Sequence, residues 1–161
     1  MVIPTQYTYR QLRAEDVPLL KELLQVFGEA FGEIDTYQQA VPGDDYLARL
    51  LGREHFIAVV AMAAEVVVGG LAAYVLDKFE QDRREIYIYD LAVLEAHRRK
   101  GIATGTILEL KKIAAERGVY VIFVQADLED NPAIALYESL GTKKTAHHFD
   151  IEVCAKKSEG L

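Results

Sequence analysis

The run Arg98-Arg99-Lys100-Gly101-Ile102-Ala103 lies between an apolar segment that ends near Val93 and a stretch of helical periodicity. A strand, a basic turn and a helix mouth in that order present free backbone N–H groups and the positive end of a helix dipole, which together bind phosphate. Gly101 has no Cβ to hold the backbone away from a diphosphate, Ala103 is the next small position, and Arg98 and Arg99 add charge. No Gly-Lys-Ser/Thr follows, so this is not a P-loop, and the glycine spacing is not Gly-x-Gly-x-x-Gly. On these residues alone a basic turn ahead of a helix has two readings, a solvated turn or a phosphate cradle.

Asp90 is the second candidate, a carboxylate inside the otherwise apolar and aromatic run Glu85 to Leu94. Buried without a partner, a carboxyl titrates above its ordinary ~3.9 and becomes a better base. His147 and His148 are neighbours, and adjacent residues of a strand face opposite sides, so they read as structural. Cys154 is the sole cysteine, which rules out an intramolecular disulfide and a zinc site built of cysteines; it is either a nucleophile or an incidental small residue. The 18 Lys and Arg against 25 Asp and Glu leave a net charge of −7. That balance turns the chain away from nucleic acid and toward cationic small molecules, unless the charge serves solubility alone.

These residues need elements to hold them. Tyr7 to Leu12 alternates as a first strand, and Val17, Leu20, Leu24 and Phe27 then recur at helical spacing from Asp16. Pro42 and Gly43 precede a shorter helix from Asp44 to Leu51. His55 to Met62 and Val66 to Leu76 read as strands joined by a tight turn at Ala63 to Glu65. After the charged loop Asp77 to Arg84, whose Glu80 to Arg84 part is able to rim a substrate site, Glu85 to Leu94 is a strand with Tyr87 and Tyr89 on one face. Ala103, Ile107, Leu110 and Ala114 mark a helix that Gly118 ends, and the apolar run Val119 to Val124 predicts a central strand covered on both sides. Pro132 opens a last helix with Ala133, Leu136, Tyr137 and Leu140 as its inner stripe, ended by Gly141. Thr145 to Val153 reads as a final strand and 155–161 as a frayed tail.

The order implies an α/β mixed sheet with a parallel crossover through the helix from Ile102 to Arg117, in one domain spanning 1–161. The apolar stretches Phe56 to Ala64 and Val66 to Leu76 fall short of the ~18 to 20 residues a membrane helix needs. Met1 to Gln6 does not read as a signal peptide, so the cytoplasm is the expected address.

In this strand-turn-helix setting, Arg98-x-x-Gly101-x-Ala103 resembles the GNAT signature Gln/Arg-x-x-Gly-x-Gly/Ala. Downstream, Asn131-Pro-Ala-Ile-Ala-Leu-Tyr137-Glu-Ser-Leu-Gly141 resembles the family's Asn-x-x-Ala-x-x-x-Tyr-x-x-x-Gly segment. Counted back from Ala133 and Tyr137, Asp130 stands where the family has Asn, and Thr142 replaces an aromatic. Five further segments, Phe27 to Gly32, Leu71 to Leu76, Glu85 to Val93, Tyr120 to Asp127 and His148 to Ile151, are similar to the aminoglycoside 3-N-acetyltransferases of gentamicin type. The resemblance implies the GNAT acyl-CoA N-acyltransferase fold, a central twisted mixed sheet of about seven strands flanked by four helices. It also implies acetyl-CoA as cofactor, no metal, a cationic aminoglycoside as acceptor, antibiotic resistance as the outcome, and the homodimer common among such enzymes.

Under that resemblance, Leu91, Ala92 and Val93 present backbone N–H to the acetyl carbonyl, and Arg98, Arg99, Lys100, Gly101, Ile102, Ala103 and Thr104 hold the diphosphate. Asp130 or Asn131, with Ala133, meets the cofactor. Tyr137 is either a packed helix tyrosine or the acid that protonates the leaving thiolate; a phenol near ~10 can serve a thiol near ~8.5. Asp90 takes the proton of the amine, anchors the substrate or pairs with an Arg. Tyr89, Asp127, Asp150 and Glu152 would line an acidic cleft, although each carboxylate alone is also a surface residue. No nucleophile has an evident activating partner, which favours direct attack in a ternary complex. Two other readings stand: the same fold acting on a protein amine, a polyamine or a small metabolite, and a non-catalytic acyl-CoA-binding module.

Overall fold

A computed structural model of the protein describes residues 6–154, so the expected frayed tail at 155–161 lies outside the described residues. The chain falls into two compact units, one through Asp127 and one from Leu128. In the first, β1 (Tyr7–Gln11), β2 (Phe56–Ala63), β3 (Val66–Asp77), β4 (Arg84–Val93) and β5 (Val119–Val124) lie in that order in one sheet. The pairings are antiparallel from β1 to β4 and parallel between β4 and β5, which α4 (Ile102–Glu116) connects. Three helices, α1 (Val17–Phe31), α2 (Ile34–Gln38) and α3 (Asp44–Leu51), separate β1 from β2 in the chain. The second unit carries α5 (Asn131–Leu140).

Side chains alternate across a strand, and β2 uses both of its faces. Phe56, Ala58 and Val60 pack with Leu20, Leu23 and Phe27 of α1 and with Leu47 and Leu51 of α3. On the other face Ala61 packs with Ile102 of α4. Ile57 of the same strand is 0% exposed. Its shortening, Ile57→Val, is expected to cost about 0.5–1.5 kcal/mol, read as a lower urea midpoint with an unchanged slope.

The structure corrects three expectations. The sheet has five strands among the described residues, not about seven: Thr145 to Val153 alternates in sequence but forms no ladder, and its side chains are exposed. Alternation marks a strand only where a second edge completes the hydrogen bonds. The run Val119 to Val124 is an outer strand joined to β4 alone, and Tyr120 and Phe123, which alternation places on opposite faces, are both exposed; an apolar run by itself fixes neither strand order nor cover. A fifth helix, α2, joins the expected four; five residues are too few to show a period. The charged loop Asp77 to Arg84 closes on itself through Lys78, 3.6 Å from Glu80 and 3.5 Å from Glu85, and Arg83, 3.1 Å from Glu80, at the end of β4 away from Val93. No helix among the described residues is long and apolar enough to cross a membrane.

Candidate active site

Tyr87 opposes Tyr74 and Tyr74 opposes Phe56, so all three side chains share the sheet face on which Phe56 packs with α1 and α3. Strict alternation would then send Asp90 through to the α4 face. A bulge in β4 prevents this: Ala73 opposes Ile88 and Ala72 opposes Asp90, which leaves Tyr89 without a partner on β3. The extra residue resets the register. Ala92 accordingly packs on the α1 side and Val93 with Ile102 on the α4 side, and Asp90 emerges half-buried on the α1 side.

There the hydroxyl of Tyr37, on α2, donates to both carboxylate oxygens of Asp90 at 3.2 Å. Burial raises the Asp90 pKa above the ordinary carboxylate range; the Tyr37 bond opposes this and the Glu33 charge adds to it. Burial, followed by the charge of Asp90, pushes the Tyr37 phenol well above its usual value. Among the described residues no Lys, Arg or His forms an ion pair with Asp90, so the expected pairing with an Arg is not made. An aromatic row runs beside it, with ring separations of 5.4 Å for Phe56–Tyr74, 5.9 Å for Tyr74–Tyr89, 5.9 Å for Tyr89–Tyr87 and 4.9 Å for Tyr87–Phe123. Tyr89 is 63% exposed. A carboxylate lacking a cation, set among aromatic rings, suits an ammonium group. Sequence reasoning passes over Tyr37 and Glu33 because residues 33–41 show no period; the aromatic spacing after Phe27 and Phe31 is the one hint.

The opposite edge of β4 is open at the same level. Its pairing with β5 ends at Ile88 and Val124, while β4 continues to Val93. The N–H of Leu94 bonds the Val68 carbonyl at 2.9 Å, and successive residues of a strand present their amides to alternate sides. The Ala92 N–H therefore turns toward β3, and the N–H groups of Leu91 and Val93 point into the gap. The Val93 carbonyl on that side accepts a 3.1 Å bond from Arg98 Nε, which ties the basic turn to the strand end.

A single 3-10 turn, Glu95–His97, leads into the residues before α4. Arg99 and Gly101 have left-handed φ angles of 61° and 76°, and a Cβ on Gly101 would meet nothing within 4 Å. The Arg98 N–H bonds Glu95 and the Gly105 N–H bonds Gly101, but the N–H groups of residues 99–104 have no partner among the described residues. Unpaired amides at a helix start, beside exposed Arg99 and Lys100 and with open space off the Gly101 Cα, are the donor set a diphosphate requires.

In the second unit, Asp130 caps α5 by accepting the Ala133 N–H at 3.1 Å. Tyr137 has its pKa pushed up to about 12 by burial first and by the Asp130 charge second, so it is fully protonated at neutral pH. His148 lies 2.9 Å from Asp150, which is exposed, as are Glu152 and Cys154; Asp127, at the end of the first unit, is exposed as well. No cluster of three or more His, Cys, Asp or Glu among the described residues is placed to hold a metal.

A profile of the acetyltransferase (GNAT) family matches residues 20–142. The chain belongs to the GNAT acetyltransferase family. The matched span contains the bulged β4, the turn at 98–104 and Tyr137. GNAT enzymes use acetyl-CoA, and the unpaired amides of residues 99–104 fit its diphosphate. Among solved structures, the aminoglycoside acetyltransferase HMB0005 from an uncultured soil metagenomic sample is 54% identical, with a TM-score of 0.91, over 92% of this chain and 99% of that one. The aminoglycoside acetyltransferase meta-AAC0020 from an uncultured soil metagenomic sample, in complex with sisomicin, is 28% identical with a TM-score of 0.83, over 92% of this chain and 97% of that one. N-acetyltransferase 8 of Homo sapiens is 31% identical over 90 residues, which make up 56% of this chain and 40% of that protein. The match thus spans less than half the length of this curated relative.

Proposed function

We propose that the protein transfers the acetyl group of acetyl-CoA to the 3-N amine of an aminoglycoside and so confers resistance to it. The observation that carries this reading is the run of unpaired amides at residues 99–104 next to the open β4 edge, where the N–H groups of Leu91 and Val93 face the gap. The similarity to an aminoglycoside acetyltransferase over nearly the whole chain supports the acceptor class.

When bound, acetyl-CoA supplies an activated thioester. The amides of Arg99, Lys100, Gly101, Ile102, Ala103 and Thr104 hold its diphosphate, with Arg98 fastening the turn to the strand. The N–H groups of Leu91 and Val93 stand roughly 6.6 Å apart along the strand, so one of the two would donate to the thioester oxygen and stabilise the charge that develops there, while the other is left for another acceptor of the cofactor. Asp90 receives the acceptor ammonium and removes its proton, and Tyr89 flanks it. Asp127, Asp150 and Glu152 orient the other ammonium groups of a polycationic sugar. Asp130 caps α5 through one oxygen, and either Asp130, through its remaining acceptor sites, or Asn131, with Ala133, contacts the cofactor. Tyr137 returns a proton to sulfur; from about 12 toward a thiol near ~8.5 that transfer is uphill, and amide formation draws it forward. A cytoplasmic, homodimeric enzyme is part of the same reading.

Acetyl-CoA with a panel of gentamicin-type aminoglycosides, spermidine and peptides tests the proposal, with the position of the new amide read by NMR. Acetylation at the 3-N position is expected. Turnover on spermidine or peptides alone overturns the acceptor class, and binding of acetyl-CoA without turnover on any amine reduces the protein to a binding module. Tyr137→Phe is expected to lower kcat/KM about 10²- to 10⁴-fold, so that a susceptible bacterium protected by the native chain loses protection with the variant.

A further inference from the structure

Asp90 is held from one side by a single donor. The Tyr37 ring lies 5.8 Å from Phe27 and 5.8 Å from Phe31, whose own rings stack at 5.7 Å, so α1 grips the ring and leaves its hydroxyl to reach both Asp90 oxygens. Around the carboxylate, α2 presents Tyr37 and, at its N-cap, Glu33; β3 presents Tyr74; β4 presents Tyr87 and Tyr89; the two Phe rings of α1 stand against the Tyr37 ring. None of these is a cation. A tyrosine that only filled the wedge between Phe27 and Phe31 would have no use for a hydroxyl shared between two carboxylate oxygens.

We infer that Tyr37 is a positioning residue for acetyl transfer: its hydroxyl locks the Asp90 carboxylate in one rotamer on the α1 side of the sheet and leaves the remaining lone pairs to the acceptor amine. The inference rests on the proposed role of Asp90 toward that amine. Each carboxylate oxygen has two acceptor sites, so one shared O–H does not compete with an incoming ammonium. The bond also favours the ionised form against burial and against Glu33. Its loss therefore moves Asp90 titration upward.

Tyr37→Phe keeps the ring and removes the hydroxyl. At neutral pH, kcat/KM for the aminoglycoside is expected to fall about 10- to 100-fold, the acid limb of its pH profile to move to higher pH, and KM for acetyl-CoA to stay unchanged. A fall that is equal at every pH, with the acid limb in place, overturns the proposal and leaves Tyr37 a packing residue. Adding Tyr37→Phe to Asp90→Asn is expected to cost nothing more; additive losses overturn it as well. If Asp90→Asn alone retains full kcat/KM, the role of Asp90 fails, whereas a crippled Asp90→Asn beside an unaffected Tyr37→Phe defeats the Tyr37 proposal alone. Carbon-13 NMR of the native protein gives a readout independent of any variant's folding: Tyr37 Cζ is expected to shift as Asp90 titrates, and a signal indifferent to that titration refutes the link.

Discussion

Asp90→Asn is expected to lower kcat/KM for an aminoglycoside about 10²- to 10⁴-fold while leaving acetyl-CoA affinity essentially native. The amide is nearly isosteric and still accepts the Tyr37 hydrogen bond, so the local packing survives; it has neither the charge to hold an ammonium nor the basicity to take its proton. The separation from the cofactor follows from the strand. Asp90 projects from the sheet face toward α1 and α2, whereas the Leu91 and Val93 amides leave β4 edgewise into the gap. The pH dependence has a definite sign. Burial raises the Asp90 pKa, so the ionised base is lost as pH falls through that raised value, and the native rate falls with it. Stability runs the other way. The folded state binds this proton more tightly than the unfolded chain does, so the stabilisation it confers is full below the unfolded pKa and is lost as pH rises through the folded one. Asn escapes that loss, and thermal denaturation of the two proteins is expected to favour the variant increasingly across the same window. An Asp90→Asn enzyme with native kcat/KM would remove Asp90 from the chemistry.

How far the sequence discloses this site depends on the range of the interactions that build it. The turn at 98–104 is legible because strand end, basic residues, Gly101 and helix periodicity are contiguous, and the unpaired amides follow from the start of any helix. Asp90 is legible as a charge out of place in an apolar run. The face it occupies is not, because strict alternation assigns it the α4 side and only the bulge at Tyr89 reverses that assignment. Nothing in Glu85 to Val93 marks the bulge, since it depends on which β3 residues stand opposite. Tyr37 escapes notice for a related reason: its helix is a single turn, and its partner is 53 residues away. The edge position of β5 and the unpaired Thr145 to Val153 show the same limit. Composition and period state that a segment can be a strand, whereas neighbours in space decide how many of its edges are joined.

Gly101→Val is expected to weaken acetyl-CoA binding about 10²- to 10³-fold, and its control separates ligand contact from backbone strain. Gly101 adopts φ 76°, a conformation that a β-branched residue almost never takes, at a cost of about 1–2 kcal/mol. Open space in front of the residue means the new side chain meets no protein atom within 4 Å of its Cβ; it projects instead beside the amides of residues 99–104. Displacing one or two charge-assisted hydrogen bonds, at roughly 1.5–3 kcal/mol each, corresponds to the expected loss at about 1.4 kcal/mol per tenfold. Gly118, beyond the other end of α4, has φ 67° and equally open surroundings. Gly118→Val therefore carries the same strain with no amide cradle beside it. Both variants are expected to lower the Tm, and only Gly101→Val to lose acetyl-CoA affinity by calorimetry. Equal losses in the two would mean that strain, not ligand contact, governs binding, and the cradle at residues 99–104 would no longer account for the diphosphate.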